Sequence, residues 1–197
     1  NFRAYLDFNG GKMTDFGHHW MDTVHMFMGE RAPRTVSFAG GIYYDFHDTR
    51  TAPDTCNALF EYDGFSVLFQ SNAYGNPPEY GITFYGDKGK LFVNRNRYEF
   101  LSGEKGAQPV TKRIPGDITS DHVRNFLDAV KSRQDPIEPV EVGHSTASLC
   151  ILGNIAQVLK RKFTWDSAAE RSPDDADVNA MLSRPMRDPW GAEGLEV

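Results

Sequence analysis

The apolar and polar positions at the start of the chain recur with a helical period. This pattern predicts an amphipathic helix over residues 14–28, with Thr14 as its N-cap and Gly29 as its stop. At about 100° per residue, the polar side chains share one arc: Asp15, His18, His19, Asp22, Thr23 and His25. The apolar side chains share the opposite arc, which we expect to be buried: Phe16, Trp20, Met21, Val24, Phe27 and Met28.

Six runs in the middle of the chain are rich in aromatic and β-branched residues, a composition typical of β-strands. These runs are residues 34–44, 55–62, 65–73, 80–85, 90–93 and 98–101. Asp63-Gly64, between the second and third runs, is a strong hairpin signal, and residues 86–89 predict a second turn. Strands joined this tightly pair antiparallel, because parallel neighbours need a crossover of about a dozen residues or more.

Beyond Pro115 the period of the apolar positions becomes helical again. We predict a helix capped by Ser120, a longer helix over residues 145–162 and a short one over residues 174–182. The first of these carries an apolar stripe of Val123, Phe126, Leu127 and Val130. Strands flanked by helices predict the α+β class, with one open, mostly antiparallel β-sheet and helices packed on one face. We expect residues 1–197 to form a single domain whose open, aromatic-rich sheet face makes a homo-oligomer interface.

Charge and composition argue against two classes of partner. The formal net charge is −6 and no dense basic patch offsets it, so we expect no nucleic-acid partner. No run approaches about 18 apolar residues, so we expect no membrane partner. Cys56 and Cys150 lie in apolar contexts typical of core residues in a reduced protein, with one disulfide as the alternative. The chain shows no N-terminal leader, which favours the cytoplasm, while an export signal farther upstream stays open.

The polar arc of the first helix has the groups that acid–base chemistry needs. An aspartate and a histidine one helical turn apart can hold a hydroxyl group while the imidazole takes or gives its proton. Gly10 and Gly11 precede the arc and allow a ligand to approach the backbone closely. The alternative interpretation is a solvated helix face on which Asp15 caps the helix. A metal site built from His18, Asp22 and His25 is a third option, but the HExxH pattern is absent and we predict no metal.

The remaining polar residues are weaker candidates. A polar loop contains His47, Arg50 and Asp54. Two interpretations of this loop stay open: its side chains contact a ligand, or the loop is solvated. His122 and His144 each stand near the start of a helix, where a histidine is more often structural. The sequence contains no GxSxG, P-loop or CxxC motif, and no GxGxxG follows a strand. We therefore expect no nicotinamide cofactor to be bound by this chain alone.

Several segments together resemble one enzyme family. The segment GGKMTDFGHHWMD resembles the D-x-G-x-H-x-x-D signature that opens the C-terminal domain of the glucose–fructose oxidoreductase, inositol dehydrogenase and rhizopine-catabolism (Gfo/Idh/MocA) family. Three later segments resemble the family in the same order: FYGDKGKLFV, HVRNFLDAVKSRQDPIEPVEVGH and CILGNIAQVLKRKFTWD. The resemblance covers nearly the whole chain.

The resemblance implies a two-domain, NAD- or NADP-dependent oxidoreductase acting on a sugar, a sugar derivative or a cyclitol. An N-terminal Rossmann domain would bind the cofactor, and this chain would supply the substrate wall and the oligomer interface. By position in the signature, Asp15 matches the aspartate that orients the substrate and His19 matches the acid/base histidine. We expect Lys12, Asp22 and His18 to contact substrate, although His18 occupies a variable position of the signature.

One departure from the family qualifies this expectation. The family's catalytic lysine belongs to an E-K-P motif of the Rossmann domain, which the chain does not contain. Alone, the chain is therefore expected to be inactive, and a fragment of a full enzyme is the favoured interpretation. The alternatives are a stand-alone carbohydrate-binding or assembly module, and a domain of a redox-neutral glycosidase that recycles NAD.

Overall fold

The structure is a computed structural model that describes residues 2–29, 32–44, 47–72, 79–114 and 116–188. Five helices are α1 (Gly11–Asp15), α2 (Gly17–Met28), α3 (Ile118–Ser132), α4 (Val140–Leu159) and α5 (Ala176–Ala180). Eight strands are β1 (Thr35–Gly41), β2 (Thr55–Glu61), β3 (Ser66–Asn72), β4 (Ile82–Gly86), β5 (Gly89–Val93), β6 (Arg97–Ser102), β7 (Val110–Arg113) and β8 (Phe163–Thr164). A short 3₁₀ turn, Phe2–Ala4, precedes α1.

The strands form two open antiparallel sheets, which confirms the α+β class but divides the single sheet expected from the sequence. The first sheet has the order β3-β2-β1-β8 and the second the order β4-β5-β6-β7. The six predicted strands are present, and residue 73 of the third lies outside the described residues. Strands β7 and β8 were not predicted, because β7 is exposed throughout without alternating burial and β8 has only two residues.

The first sheet shares one hydrophobic core with helices α1, α2, α4 and α5. Side chains of β2 alternate between the core and the open face, with Cys56, Ala58 and Phe60 fully buried. Helix α4 packs on these strands so closely that a Cβ at Gly153 would lie 3.3 Å from the Phe60 ring. Cys150 is also buried and free, and burial raises the pKa of both thiols to about 12. Both cysteines are therefore unreactive core residues, as predicted.

The predicted helix over residues 14–28 is two helices. Helix α1 begins three residues earlier, at Gly11, and a break at Phe16 separates it from α2. Thr14 is not an N-cap, because it lies inside α1 and its hydroxyl donates a hydrogen bond to the carbonyl of Asn9. Gly29 ends α2 as predicted, in a left-handed conformation with φ of 76°.

The buried face of α2 is rotated from the arc that the sequence predicts. Four residues of α2 are buried. Met21 and Val24 are buried as expected, whereas Gly17 and His25 do not belong to the predicted apolar arc. Three residues of the predicted apolar arc are exposed: Phe16, Phe27 and Met28. The rotation arises because α2 packs against α4 on one side and meets the second sheet on another, where the Phe27 ring lies 5.1 Å from Phe84 of β4. The Trp20 ring lies 5.8 Å from Tyr80, which precedes β4.

The two long C-terminal helices differ in burial. Asp117, rather than Ser120, caps α3, and its carboxylate accepts from the backbone N–H of Thr119 at 3.0 Å. No residue of α3 is buried, so its apolar stripe does not face the core as the period suggested. Helix α4 begins at Val140, five residues earlier than predicted. By length and composition α4 could cross a membrane, and seven of its 20 residues are buried within the protein.

Candidate substrate site

The polar face of α2 borders a cavity of about 530 Å³ that also touches α3 and the start of α4. Its polar lining comes from seven side chains: His18, His19, Asp22, His25, His122, Glu138 and Thr146. Its apolar lining includes Met26, Ile137 and Val142. A lining of this kind fits a small ligand that has both hydroxyl groups and apolar C–H surface.

His18 is oriented by the backbone of the preceding turn. Its Nδ1 is hydrogen-bonded to the carbonyl oxygen of Thr14, four residues earlier. Because a carbonyl oxygen only accepts hydrogen bonds, Nδ1 is the donor in this pair. The imidazole is half-buried at the wall of the cavity. The preceding turn thus fixes the orientation of the His18 ring, a property that the signature alone did not indicate.

His19 lies at the rim of the same cavity and is exposed. Its ring meets Phe16 edge to face, with the ring centroids 6.2 Å apart and the planes at 82°. Asp22, half-buried one turn further along α2, also lines the cavity. Three of the five residues that the sequence singled out are therefore together.

Asp15 and Lys12 do not line this cavity. The Asp15 carboxylate accepts a hydrogen bond from the Arg3 guanidinium, with Nε and Oδ1 3.0 Å apart. The Lys12 ammonium lies 5.3 Å from the centroid of the Phe16 ring. Arg3 escaped sequence reasoning because nothing in a spacing of 12 residues indicates that the two charges meet.

The inner end of the cavity contains His25, which the sequence placed on the exposed polar arc. Only 3% of His25 is exposed, and its Nε2 is 3.1 Å from the Tyr62 hydroxyl. The Tyr62 ring in turn stacks on Phe65 with centroids 4.4 Å apart. His25 is therefore a packed core residue. Within the described ranges, no group of three His, Cys, Asp or Glu side chains is placed to hold a metal ion.

His122 and Glu138 complete the wall opposite α2. The sequence gave His122 a structural role because it stands in the first turns of a helix, and it gave Glu138 none. The tertiary fold brings both residues to the site, since more than 100 residues of sequence separate each of them from His18. No local period could have indicated this juxtaposition.

In the polar loop with His47, Arg50 and Asp54, the last two side chains form hydrogen bonds. Asp54 is 1% exposed, and its carboxylate accepts from the backbone N–H of Tyr43 at 3.0 Å and from the Thr55 hydroxyl. The Arg50 guanidinium donates to Asp48 at 2.9 Å, and this hydrogen bond holds the pKa of Asp48 below its usual value. The loop is thus organised by its own charges.

His144 belongs to a second cavity, of about 410 Å³, on another side of α4. Its Nε2 lies 2.6 Å from the Glu170 carboxylate. Ser148 and Trp165 also line this cavity. The two helix-start histidines of the sequence therefore lie in different places, and only His122 joins the candidate site.

The described residues do not fit a dinucleotide cofactor. Every strand pair in both sheets is antiparallel, so neither sheet offers the parallel strand–turn–helix unit that cradles a pyrophosphate.

Solved structures of several oxidoreductases share this fold. An aldose–aldose oxidoreductase from Caulobacter crescentus, complexed with glycerol, matches 83% of this chain with a TM-score of 0.66 and 16% identity. The WlbA dehydrogenase from Bordetella pertussis, in complex with NADH and UDP-GlcNAcA, matches 84% with a TM-score of 0.58 and 11% identity. This chain covers 50% and 48% of those two proteins, so it spans about half their length. No curated protein sequence matches it.

A family model matches almost the entire chain. The model describes the C-terminal alpha/beta domain of the Gfo/Idh/MocA oxidoreductase family, and the match extends over residues 1–192. This agrees with the resemblance carried by the segment around Asp15 and His19 and by three later segments. The chain belongs to the Gfo/Idh/MocA oxidoreductase family.

Proposed function

We propose that residues 1–197 form the substrate-binding and oligomerisation domain of an NAD- or NADP-dependent oxidoreductase that acts on a sugar, a sugar derivative or a cyclitol. The observation that carries this proposal is the cavity of about 530 Å³ into which α2 presents His18, His19 and Asp22. A Rossmann domain, in the same chain or a partner chain, holds the cofactor.

The family and two of the similar proteins support the substrate class. One is an aldose–aldose oxidoreductase, and the other is a dehydrogenase in complex with NADH and UDP-GlcNAcA. The mixture of polar and apolar lining in the cavity suits such ligands, because a sugar ring has apolar C–H faces and a rim of hydroxyl groups.

In this proposal His19 is the acid/base catalyst. Its exposed imidazole takes the proton of a substrate hydroxyl, so an O–H bond breaks and an N–H bond forms. The carbon that bears this hydroxyl loses its hydrogen as a hydride, which the oxidised NAD or NADP held by the Rossmann domain would accept. Asp15, one turn earlier, orients that hydroxyl. Asp22 and His18 hold neighbouring hydroxyl groups, and Lys12 contacts substrate from the Asp15 side.

The ion pair between Arg3 and Asp15 is compatible with this role. Arg3 is bound to Oδ1, and a carboxylate accepts hydrogen bonds at both oxygens. The Arg3 side chain is 57% exposed, and exposed ion pairs contribute little to stability, so the carboxylate can exchange or share its partner.

The open apolar face of the second sheet is the proposed oligomer interface. Cross-strand register aligns Phe84, Leu91, Phe100 and Val110 in one row on this face. Helix α2 covers one end of the row, where the Phe27 ring lies 5.1 Å from Phe84. Exposure reaches 37% at Phe100 and 62% at Val110. A face that is apolar and uncovered in this way is suited to a second copy of the chain.

The test is steady-state kinetics of the full-length protein with D-glucose, D-galactose and myo-inositol and either NAD or NADP. His19→Ala should lower kcat/KM by about 10²- to 10⁴-fold, since general acid–base catalysis contributes that much. The urea midpoint should stay near wild type, because the side chain is exposed.

His18→Ala is the matched control, since it removes a neighbouring imidazole from the same cavity. It should raise KM more than it lowers kcat. Unchanged turnover in His19→Ala would reject the catalytic assignment. A larger loss of kcat in His18→Ala would transfer the role to the histidine that the Thr14 carbonyl orients.

A further inference from the structure

Thr146 carries a buried hydroxyl without a hydrogen-bond partner among the residues that the structure describes. The residue is 3% exposed and lines the same cavity as His19 and Asp22. Its neighbour Ser145 behaves differently, since the Ser145 hydroxyl donates to the Glu141 carbonyl at 2.8 Å. Such a bond to the preceding turn is the usual solution for Ser and Thr in helices.

An unpartnered buried hydroxyl destabilises the folded protein, so its retention needs an explanation. Here the oxygen belongs to a residue that lines a space large enough for a monosaccharide-sized ligand. The missing hydrogen bond therefore points to a group that enters from that space.

The backbone next to Thr146 leaves this space open. Gly143, three residues earlier on α4, lines the cavity, and a Cβ added there would meet no atom within 4 Å. Val142 and Met26 provide apolar surface in the same lining. A ring with one hydroxyl directed at Thr146 and its C–H surface against these two side chains would satisfy both kinds of lining.

We propose that the Thr146 hydroxyl binds a hydroxyl group of the ligand and selects for its presence. A threonine hydroxyl both donates and accepts, so its natural complement is another hydroxyl, which does the same. A site built to hydrogen-bond a substrate hydroxyl rejects the analogue that lacks it. This inference rests on the proposed function only in taking the ligand to be polyhydroxylated.

The test measures binding rather than turnover. Isothermal titration of the full-length protein uses D-glucose, D-galactose and myo-inositol, together with the single-deoxy analogues of each probe that binds. Thr146→Val removes the hydroxyl at constant shape and should weaken binding of the intact probe about tenfold, the loss typical of one hydrogen bond. Thr146→Ser retains the hydroxyl and should bind like wild type.

The deoxy analogues provide the decisive comparison. One deoxy analogue should bind wild type and Thr146→Val with equal affinity, because it lacks the hydroxyl group that forms a hydrogen bond with Thr146. A structural role for Thr146 would instead weaken every probe to the same extent. Gly143→Leu adds bulk to the open space and should abolish binding of all probes while the protein stays folded.

Two results would overturn the inference: equal affinity of wild type and Thr146→Val for every intact probe, or no binding of any probe to wild type. The first result would mean that the Thr146 hydroxyl forms its hydrogen bond with bound water and not with the ligand. Failure of the proposed function looks different. In that case probes bind in a Thr146-dependent manner, but neither NAD nor NADP is reduced.

Discussion

The two sheets of this domain have similar alternation of apolar side chains but different burial. Strands β1, β2, β3 and β8 all contribute buried hydrophobic residues, as do α1, α2 and α4. Among the described residues, β4–β7 and α3 contribute none. Helix α4 packs on the first sheet, whereas α2 contacts the second sheet through the rings of Phe27 and Phe84.

This difference shows that an amphipathic pattern indicates a face to be covered but not what covers it. Val123 and Phe126 of α3 are three residues apart, as are Leu149 and Leu152 of α4. Yet Leu149 and Leu152 are buried in this chain, while Val123 and Phe126 are about half-exposed. The uncovered residues lie on the surfaces available to other domains or copies.

The largest expected effect is a loss of stability, and its size should differ between substitutions in the two sheets. Phe60→Ala in β2 should lower the free energy of unfolding by about 3–5 kcal/mol, because its ring is fully buried and its removal leaves a cavity. Phe100→Ala in β6 should cost about 1–2 kcal/mol, since that ring is 37% exposed. Urea denaturation at a concentration where the protein is monomeric measures both values.

Equal losses for these two substitutions would contradict the contrast between the sheets. Phe60→Leu is a useful control, because it keeps most of the buried volume and should recover part of the stability lost in the alanine variant.

A smaller effect concerns the proposed oligomer face. Val110 and Thr111 are consecutive exposed residues of β7, and their side chains point to opposite faces of the sheet. Val110→Asp should weaken self-association about tenfold or more, because it places a charge in an apolar interface. Thr111→Asp should leave association unchanged. Analytical ultracentrifugation measures both, and the account fails if the two variants dissociate equally or not at all.

Much of the fold could be predicted because it depends on local signals. Asp63-Gly64 marks the turn between β2 and β3, and Gly29 ends α2. The predictions were wrong where packing between distant segments determines where a helix breaks or which side chain is buried. The break at Phe16 was not predicted, and His25 was assigned to the exposed arc although Tyr62 holds it in the core.

The candidate site was predicted only along one helix. His18, His19 and Asp22 are close in sequence and lie together in the cavity. The opposite wall, with Thr146 and His122, comes from segments more than 100 residues away, which no local motif connects to α2. Sequence reasoning therefore identified one side of the site, and the fold was needed to find the other.

The central claim, that the polar face of α2 binds the substrate, can be tested through the histidines. A ¹H–¹³C spectrum of the full-length protein, labelled at histidine, is recorded while D-glucose, D-galactose or myo-inositol is added. We expect the signals of His18, His19 and His122 to shift together, because all three line the cavity. The signals of His47 and His144, which lie outside this cavity, should not shift. A shift of His144 alone would place the ligand in the other cavity and contradict the account.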